Sequence, residues 1–209
     1  MTRFLIVRHG ETLWNREHRI QGQRNSELSS AGVRQAQATA QRLRGEGGVR
    51  LIASDLGRTV QTAQPVAAAL GLELELELDA RLRERCFGEF EGSTPDEVRE
   101  RMPDAYLRWQ SREPSYAMPG GESLLALRDR ARACLESIAA VTSGTVIIVT
   151  HGGTLDAMYR LAASLALDAP RTWPLLNSSI NTIQIEAGVW HLRTWGDVAH
   201  LPAAEDDFG

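Results

Sequence analysis

Residues 4–12 read FLIVRHGET, four apolar residues that stop abruptly at charged and polar ones. A short apolar run bounded in this way predicts a buried β-strand, here from Arg3 to Val7. Two further runs of the same kind follow, at Arg50 to Ala53 and at Thr145 to Val149. Because helical periodicity fills much of the chain between them, the sequence predicts an α/β fold with a mostly parallel central sheet.

Four amphipathic segments predict the helices that cover this sheet. Apolar residues recur every three or four positions in each of them, which is the spacing of one helix face. Helices on both faces of a sheet make a three-layer sandwich, the architecture that we expect. Pro65 lies inside one segment, where proline predicts a kink or a split of the helix. The segments run from Ala31 to about Arg44 with Ser29 or Ser30 as the cap, from Gly57 to Leu70, from Ser123 to Ala140, and from Gly153 to about Leu167.

The outer strands and the connecting regions have weaker patterns. Leucine alternates with glutamate from Leu72 to Leu78, which predicts a half-buried strand near a sheet edge with Glu73, Glu75 and Glu77 on its solvated face. Ile180 to Ile185 and Val189 to Thr194 predict a terminal hairpin. Glycine and proline punctuate residues 81–121, which predicts a small cap insertion at about 93–121 within a single domain of residues 1–209. The acidic tail, residues 202–209, is expected to be disordered.

The composition narrows the chemistry. The chain has 209 residues, a net charge of −4, and 23 basic residues that are all arginine. Without lysine it has no Schiff-base lysine, no pyridoxal attachment and no Walker-type phosphate loop. Its acidic balance argues against nucleic-acid binding, and no apolar run approaches the roughly 18 residues of a membrane span. The first strand starts without a signal-peptide pattern, and Cys86 and Cys134 suggest neither zinc nor a disulfide, so a cytoplasmic protein is expected.

Three strand ends carry the polar residues that suggest a site. Ligands of parallel sheets bind where strands end and helices begin. Arg8 and His9 follow the first strand, Arg58 follows the second, and His151 follows the strand that ends at Val149. Any one of these alone is more typical of a surface or structural residue. Two arginines, two histidines and the helix N-termini together predict a site for a dianion such as a phosphoryl group.

Six blocks in order resemble the histidine phosphatase superfamily, the phosphoglycerate mutase-like proteins, and in particular its small phosphatases. They are LIVRHGETLWN at 5–15, LSSAGVRQA at 28–36, SDLGRTVQTA at 54–63, LRERCFGEFEG at 82–92, PGGES at 119–123 and VTHGG at 149–153. One Arg-His-Gly tripeptide would be a weak signal, whereas the ordered set is specific and extends to about residue 195.

The resemblance implies a role for each residue of the site. His9 would be the nucleophile that becomes phosphohistidine, and Glu84 would be the general acid and then the base for water. Arg8, Arg58 and His151 would hold the phosphoryl oxygens. Residues expected to face the phosphate or the substrate are Asn15, Gln21, Gly22 and Gly152. Neither a metal nor a cofactor is expected, because arginines would supply the positive charge.

Several alternatives remain open at this stage. Because the cap is short, a phosphatase of small phosphorylated metabolites is favoured over a cofactor-dependent phosphoglycerate mutase; a phosphate-binding regulatory module without turnover is the third reading. Glu89 and Glu91 compete with Glu84 as the acid. Cys86 is interpreted as an ordinary part-buried cysteine rather than a regulatory thiol, and a homodimer is left open. Surface, packing or structural roles are expected for His18, His191 and His200, for Arg99, Arg101, Arg108 and Arg112, and for the other arginines, whereas Trp14 and Trp109 could equally line the substrate mouth.

Overall fold

The computed structural model describes residues 1–71 and 75–201. Within these residues six strands form one sheet in the order β3-β2-β4-β1-β5-β6. The strands are β1 (Thr2–Arg8), β2 (Gly48–Ala53), β3 (Leu76–Leu78), β4 (Gly144–Thr150), β5 (Ile180–Glu186) and β6 (Val189–Asp197). The helices are α1 (Leu13–Arg16), α2 (Ser30–Leu43), α3 (Gly57–Leu70), α4 (Pro95–Arg101), α5 (Pro103–Gln110), α6 (Leu124–Val141) and α7 (Gly152–Ala162).

The strand β1 lies inside the sheet, between a parallel and an antiparallel neighbour. It pairs with β4 in parallel from Thr2 to Arg8, and with β5 in antiparallel from Thr2 to Val7. Strands β2 and β3 continue the parallel part of the sheet beyond β4, and β6 completes the terminal hairpin. The prediction of an α/β fold with a mostly parallel sheet and a terminal hairpin is confirmed.

Alternate side chains of β1 point into two separate apolar layers. Phe4 and Ile6 pack in one cluster, which also contains apolar residues of α6 and α7. Leu5 and Val7 pack in the other, which contains residues of α2 and α3. Since all four side chains are at most 1% exposed, both faces of the sheet are covered, and the predicted three-layer sandwich is confirmed.

The helices begin where their caps predict, and one ends earlier than expected. Ser29 caps α2 by accepting a hydrogen bond from Gly32 N, and Ser123 caps α6 in the same way. Pro65 stays within α3, which runs to Leu70 as predicted. The last helix, α7, ends at Ala162 and not near Leu167, because Ser164 takes a left-handed φ of 54° that a continuing helix excludes.

The alternating leucine–glutamate segment is only partly as predicted. Residues 72–74, and with them Glu73, lie outside the described residues, as does the acidic tail 202–209. The described part forms the edge strand β3, and Glu75 is exposed as expected. The expected division of faces fails at its end, because Leu78 is 55% exposed while Glu77 is half-buried in an ion pair with Arg50.

The cap forms a third apolar cluster above the sheet edge. Two short helices, α4 and α5, pack against Phe87, Phe90 and Met118 of the neighbouring segments. Trp109 of α5 makes edge-to-face contacts with both phenylalanine rings, at centroid distances of 6.1 and 5.8 Å. In the part of the chain that the structure describes, the helices are all too short or too polar to cross a membrane.

Candidate active site

A cleft of about 340 Å³ opens at the edge where β1, β2 and β4 end. Arg8 ends β1, His9 follows it, and Arg58 lies in the first turn of α3. His151 follows β4 as the N-cap of α7. The strand ends therefore bring together the residues that the sequence placed there. The cleft is lined by Arg8, His9, Asn15, Gln21, Gly22, Arg58 and Glu84, and at its mouth by His18, Arg19, Ile20, Phe87, Pro95 and Trp109.

The His9 ring is held in one orientation. Its Nδ1 lies 2.8 Å from the carbonyl oxygen of Gly10. Because a carbonyl oxygen only accepts, Nδ1 carries the hydrogen and Nε2 keeps the lone pair of the neutral ring. The backbone is fixed as well, since His9 N donates to Thr150 O over 2.9 Å and Asn177 Nδ2 donates to His9 O over 3.0 Å. His9 thus presents a positioned nucleophilic nitrogen.

His9 stays neutral because of where it lies. Burial lowers its pKa well below the usual 6.5, and the nearby Arg58 and Arg8 guanidiniums lower it further, while the Gly10 bond acts in the opposite direction. Burial is the largest of these causes. An unprotonated imidazole is the form that attacks phosphorus.

The two arginines are buried and anchored to main-chain oxygens. Arg8 is 1% exposed and donates through Nη1 to Leu175 O. Arg58 is fully buried and donates to Gly22 O over 2.7 Å and to Arg24 O over 2.8 Å. Burial lowers the pKa of Arg58 to about 10, and the Arg8 charge adds to this, whereas the carboxylates of Glu84 and Glu91 oppose it. Arg58 is therefore a cation at neutral pH.

His151 lies beside His9 and deeper in the protein. The ring centroids are 5.3 Å apart, and His151 Nε2 lies 2.8 Å from Ser54 Oγ. Among the described residues its Nδ1 is buried without a hydrogen-bond partner. Burial first, then Arg58, lowers the pKa of His151. If Ser54 donates to Nε2, the hydrogen of the neutral ring is on Nδ1. His151 is not among the residues that line the cleft. Sequence reasoning missed Ser54, although it is the first residue after β2.

The Glu84 carboxylate is bound by backbone amides. Its Oε2 accepts from Gly153 N over 2.8 Å, and Oε1 accepts from Arg85 N over 2.7 Å and Thr154 N over 3.2 Å. Two of these donors belong to the first turn of α7, where free N–H groups favour an anion. A Cβ on Gly153 would collide with Glu84 Oε1, so a side chain at this position would displace the carboxylate.

The other residues implied by the resemblance contribute in different ways. Asn15 lines the cleft, and its Oδ1 accepts from Thr12 N and Thr12 Oγ1, which closes the cap of α1. Gln21 is 9% exposed, and among the described residues its Oε1 is buried without a partner. Gly22 has a left-handed φ of 54° and supplies the carbonyl that holds Arg58. Gly152 is buried at the start of α7 and, like His151, is not among the residues that line the cleft.

The competing glutamates have other surroundings. Glu89 is exposed and does not line the cleft. The carboxylate of Glu91 accepts from the amides of Gln23, Arg24 and Phe87, at 2.9 to 3.2 Å. Glu91 thereby ties the loop that carries Gln21 and Gly22 to the base of the cap. Of the three candidates Glu84 alone lines the cleft, in the residues that the structure describes.

Several minor interpretations are refined. His18 is exposed as expected but lies at the mouth, as Trp109 does, whereas Trp14 does not line the cleft. Cys86 is half-buried, and burial raises its pKa, which is typical of an unreactive thiol.

The cap arginines do not line the cleft. Three of them form ion pairs: Arg99 with Asp96, Arg108 with Glu113 and Arg112 with Asp156. The fourth, Arg101, donates to Glu89 O and Ser93 Oγ.

The interpretation of the other arginines as surface residues is wrong for at least three of them. Arg160 is 1% exposed and pairs with Asp156, four residues earlier on α7. Arg85 is 5% exposed and donates to the carbonyls of Tyr116 and Glu122. Arg130 binds three carbonyl oxygens of the chain around Glu84. Arginine spans long distances to carbonyl groups, a use that a one-dimensional pattern does not reveal.

Comparison with known proteins places this arrangement in one family. The family model described as "Histidine phosphatase superfamily (branch 1)" matches residues 4–198. A protein named "Phosphoglycerate mutase-like protein 4" from Arabidopsis thaliana is 39% identical over 201 residues, which are 94% of this chain and 86% of that protein. A "Metal-independent phosphoserine phosphatase" from the same plant is 40% identical over 204 residues, 96% of this chain and 84% of that protein.

A solved structure shows the same fold. The protein "YhfR" of Bacillus stearothermophilus superposes with a TM-score of 0.88 at 33% sequence identity, covering 96% of this chain and 99% of that one. Together with the family match, the named phosphatase relative supports phosphatase activity.

Proposed function

This chain belongs to the histidine phosphatase superfamily, and we propose that it is a phosphomonoester hydrolase that works through a phosphohistidine on His9. One observation carries the proposal: a buried, neutral imidazole with Nδ1 tied to Gly10 O lies in a cleft with two buried arginines. A free nucleophilic nitrogen among fixed cations is the arrangement that phosphoryl transfer requires.

In the first half of the reaction, His9 Nε2 attacks the phosphorus and the bond to the ester oxygen breaks. Arg8 and Arg58 hold the equatorial oxygens, with His151 behind them, and offset the charge that these oxygens carry in the transition state. The leaving oxygen takes the electron pair of the broken bond and a proton from Glu84. An alcohol leaves, and the phosphoryl group remains on His9.

In the second half, water replaces the alcohol. Glu84, now a carboxylate, accepts a proton from the water as its oxygen bonds to phosphorus. The bond between phosphorus and Nε2 breaks, and its electron pair returns to the ring of His9. The amide contacts of Glu84 suit this half, because all of them are contacts in which the carboxylate accepts.

We propose further that the reaction needs no metal ion. Arg8 and Arg58 supply positive charge where other phosphoryl-transfer sites use magnesium. Among residues 1–71 and 75–201, His, Cys, Asp and Glu side chains are not grouped in threes that could ligate a metal. The name of the metal-independent relative agrees with this proposal.

The mouth of the cleft favours a hydrolase with neutral or apolar leaving groups. Ile20, Phe87, Pro95 and Trp109 line it. Its arginine, Arg19, donates to Glu17, Glu97 and the carbonyl of Gly92, so its charge is already paired. A phosphoglycerate mutase must also bind the carboxylate of its substrate, for which a free cation would be expected here. Small phosphate monoesters without a second anionic group fit the mouth better.

The decisive experiment traps the intermediate. The protein with chelator present is mixed with a ³²P-labelled aryl phosphate and quenched in acid or in alkali. We expect turnover, and a label that survives alkali but not acid, as a phosphoramidate does. The label should be absent in His9→Ala. A label that persists in that variant would contradict the nucleophile, and turnover that needs added metal would contradict the metal-free reaction.

The same preparation separates the alternatives. With 3-phosphoglycerate, a hydrolase releases inorganic phosphate faster than it isomerises the substrate, whereas a mutase does the reverse. A phosphate-binding module without catalysis would turn over none of a panel of phosphate monoesters.

A further inference from the structure

The backbone around Glu84 has few hydrogen bonds of its own. Residues 83–87, the acid segment, lie outside every helix and strand, between single 3₁₀ turns at Ala80–Leu82 and Gly88–Phe90. Buried peptide groups need partners, and in irregular backbone those partners are side chains or distant peptide groups. Arg85 N, Cys86 N and Phe87 N each donate to a glutamate carboxylate. The acid segment is therefore positioned by side chains.

One guanidinium binds three carbonyl oxygens in and next to this segment. Arg130, on α6, donates through Nη1 to Arg81 O over 2.7 Å and to Arg83 O over 2.6 Å, and through Nη2 to Glu84 O over 2.9 Å. Three carbonyl dipoles that converge in this way repel one another unless a cation lies between them. Arg130 thus fixes the main chain on both sides of the proposed acid.

Glu122 orients the Arg130 guanidinium and also binds the acid segment directly. Its carboxylate accepts from Arg130 Nε over 2.7 Å and Nη2 over 2.9 Å, a two-pronged ion pair whose side chains are 19% and 15% exposed. The same carboxylate accepts from Cys86 N, and Glu122 N donates to Cys86 O over 2.8 Å. The carbonyl oxygen of Glu122 also accepts a hydrogen bond from Arg85 Nε.

Glu84 is therefore held at both ends. The amides of α7 bind its carboxylate, and the Glu122–Arg130 pair binds its backbone from α6. Proton transfer to a leaving oxygen needs a separation of about 2.6–3.2 Å, and a displacement of about 1 Å costs about 100-fold in rate. A change in the backbone anchor would move the carboxylate along this distance.

We propose that the Glu122–Arg130 ion pair is a positioning pair for proton transfer by Glu84. This inference rests on the proposed role of Glu84 as acid and base. The pair does not line the cleft, so it acts through Glu84 and not on the substrate. Its loss should slow formation of the phosphohistidine from esters whose leaving group needs a proton, and should spare that step for esters whose leaving group does not.

The test compares two esters that share an aromatic ring, 4-nitrophenyl phosphate and 2-phenylethyl phosphate. The nitrophenolate leaves without a proton, whereas the alkoxide requires one. In Arg130→Met we expect kcat/KM, which reports the steps up to the phosphohistidine, to fall by about 100-fold for the alkyl ester and by less than about tenfold for the aryl ester. Arg128→Met is the matched control, because Arg128 on the same helix pairs with the exposed Asp129. It should leave both rates unchanged.

A double variant separates positioning from general support of the fold. In a Glu84→Gln background, Arg130→Met should slow the alkyl ester by less than about twofold more, because the residue through which it acts is already altered. Equal slowing of both esters by Arg130→Met, or full additivity with Glu84→Gln, would overturn the inference. If Glu84→Gln itself slows both esters equally, the proposed function of Glu84 fails, which is a distinguishable result.

A milder variant covers the case in which Arg130→Met does not fold. Glu122→Gln keeps the carbonyl contacts of Arg130, and it weakens the orientation of this guanidinium and the contact with Cys86 N. We expect about tenfold slower hydrolysis of the alkyl ester with an unchanged aryl ester. An unchanged alkyl ester in a folded Glu122→Gln protein would contradict the role of the pair.

Discussion

The proposed nucleophile and the proposed acid are held in two different ways. Main-chain hydrogen bonds run along β1 up to the site: His9 N donates to Thr150 O over 2.9 Å, and Ser178 N donates to Arg8 O over 3.0 Å. Glu84 lies on the acid segment, where Arg130 and Thr154 side chains take the place of neighbouring strands. One half of the site is built on the sheet, and the other is tied to it by side chains.

The difference teaches where each half of the chemistry is vulnerable. Residues on the sheet share their hydrogen bonds with the core, so a substitution there alters a charge or a nucleophile with little change in position. Residues on the acid segment depend on single side chains, so a substitution at a distance changes position without touching the substrate. Variants should therefore separate into those that depend on the leaving group and those that do not.

The largest effect is expected on the sheet-held half. Arg58→Met removes a buried cation that lines the cleft and that we propose to hold the phosphoryl group, and kcat/KM should fall by about 1,000-fold. The loss should be the same for an aryl and an alkyl ester, because the phosphoryl oxygens are common to both. Steady-state kinetics with the two esters measures this. A loss confined to the alkyl ester would contradict the assignment of Arg58 to the phosphoryl group.

Glu84→Gln should give the next largest effect, and it should depend on the ester. Without a proton donor, kcat/KM for an alkyl phosphate should fall by about 100-fold and that for an aryl phosphate by much less, because kcat/KM reports the step in which the alcohol leaves. The fold should also lose about 1–3 kcal/mol, since the amide NH₂ of glutamine would face backbone N–H groups that now meet a carboxylate. Urea unfolding measures the second effect, and Glu89→Gln, at an exposed position, is the control for both.

The smallest effect is expected in the pH dependence of the free energy of unfolding. The fold lowers the pKa of His9 and His151 below 6.5, so below about pH 6.5 the unfolded chain binds more protons than the native one. The free energy of unfolding should be level above this pH and fall below it, by at most about 1.4 kcal/mol per pH unit for each histidine. Urea unfolding at several pH values checks this.

Variants show which histidines cause the free energy of unfolding to fall at low pH. His9→Ala should make the slope of this fall shallower, and His18→Ala, at an exposed position, should leave it unchanged. Burial also lowers the pKa of His200, so part of the slope should remain in His9→Ala. An unchanged slope in His9→Ala would show that this ring is not kept neutral by the fold.

The sheet-held half could be predicted from the sequence because strand ends follow a simple rule. Apolar runs mark β1, β2 and β4, and parallel strands bring their carboxyl ends to one edge. Arg8, His9, Arg58 and His151 therefore meet for a reason that is visible in one dimension. The two apolar layers could be predicted in the same way, since alternate residues of β1 must face opposite sides of the sheet.

The acid segment could not be placed by such reasoning. It has no periodicity, and Glu84 was selected from three glutamates only through the resemblance to a family. The partners of the segment, Glu122 and Arg130, lie on other elements, so the spacing of these residues does not reveal the contact. The buried arginines were also missed, because the sequence does not distinguish an arginine that binds buried carbonyl groups from one that is exposed to solvent.

The position of β1 inside the sheet has a consequence for how activity is lost on heating. A central strand exchanges its amide protons only when the sheet opens, whereas irregular segments open locally at lower cost. The nucleophile therefore keeps its geometry as long as the protein is folded, while the acid can detach by local unfolding of the chain around it. We therefore expect thermal inactivation to begin with the loss of proton transfer by the proposed acid, while the proposed phosphohistidine still forms and turns over slowly.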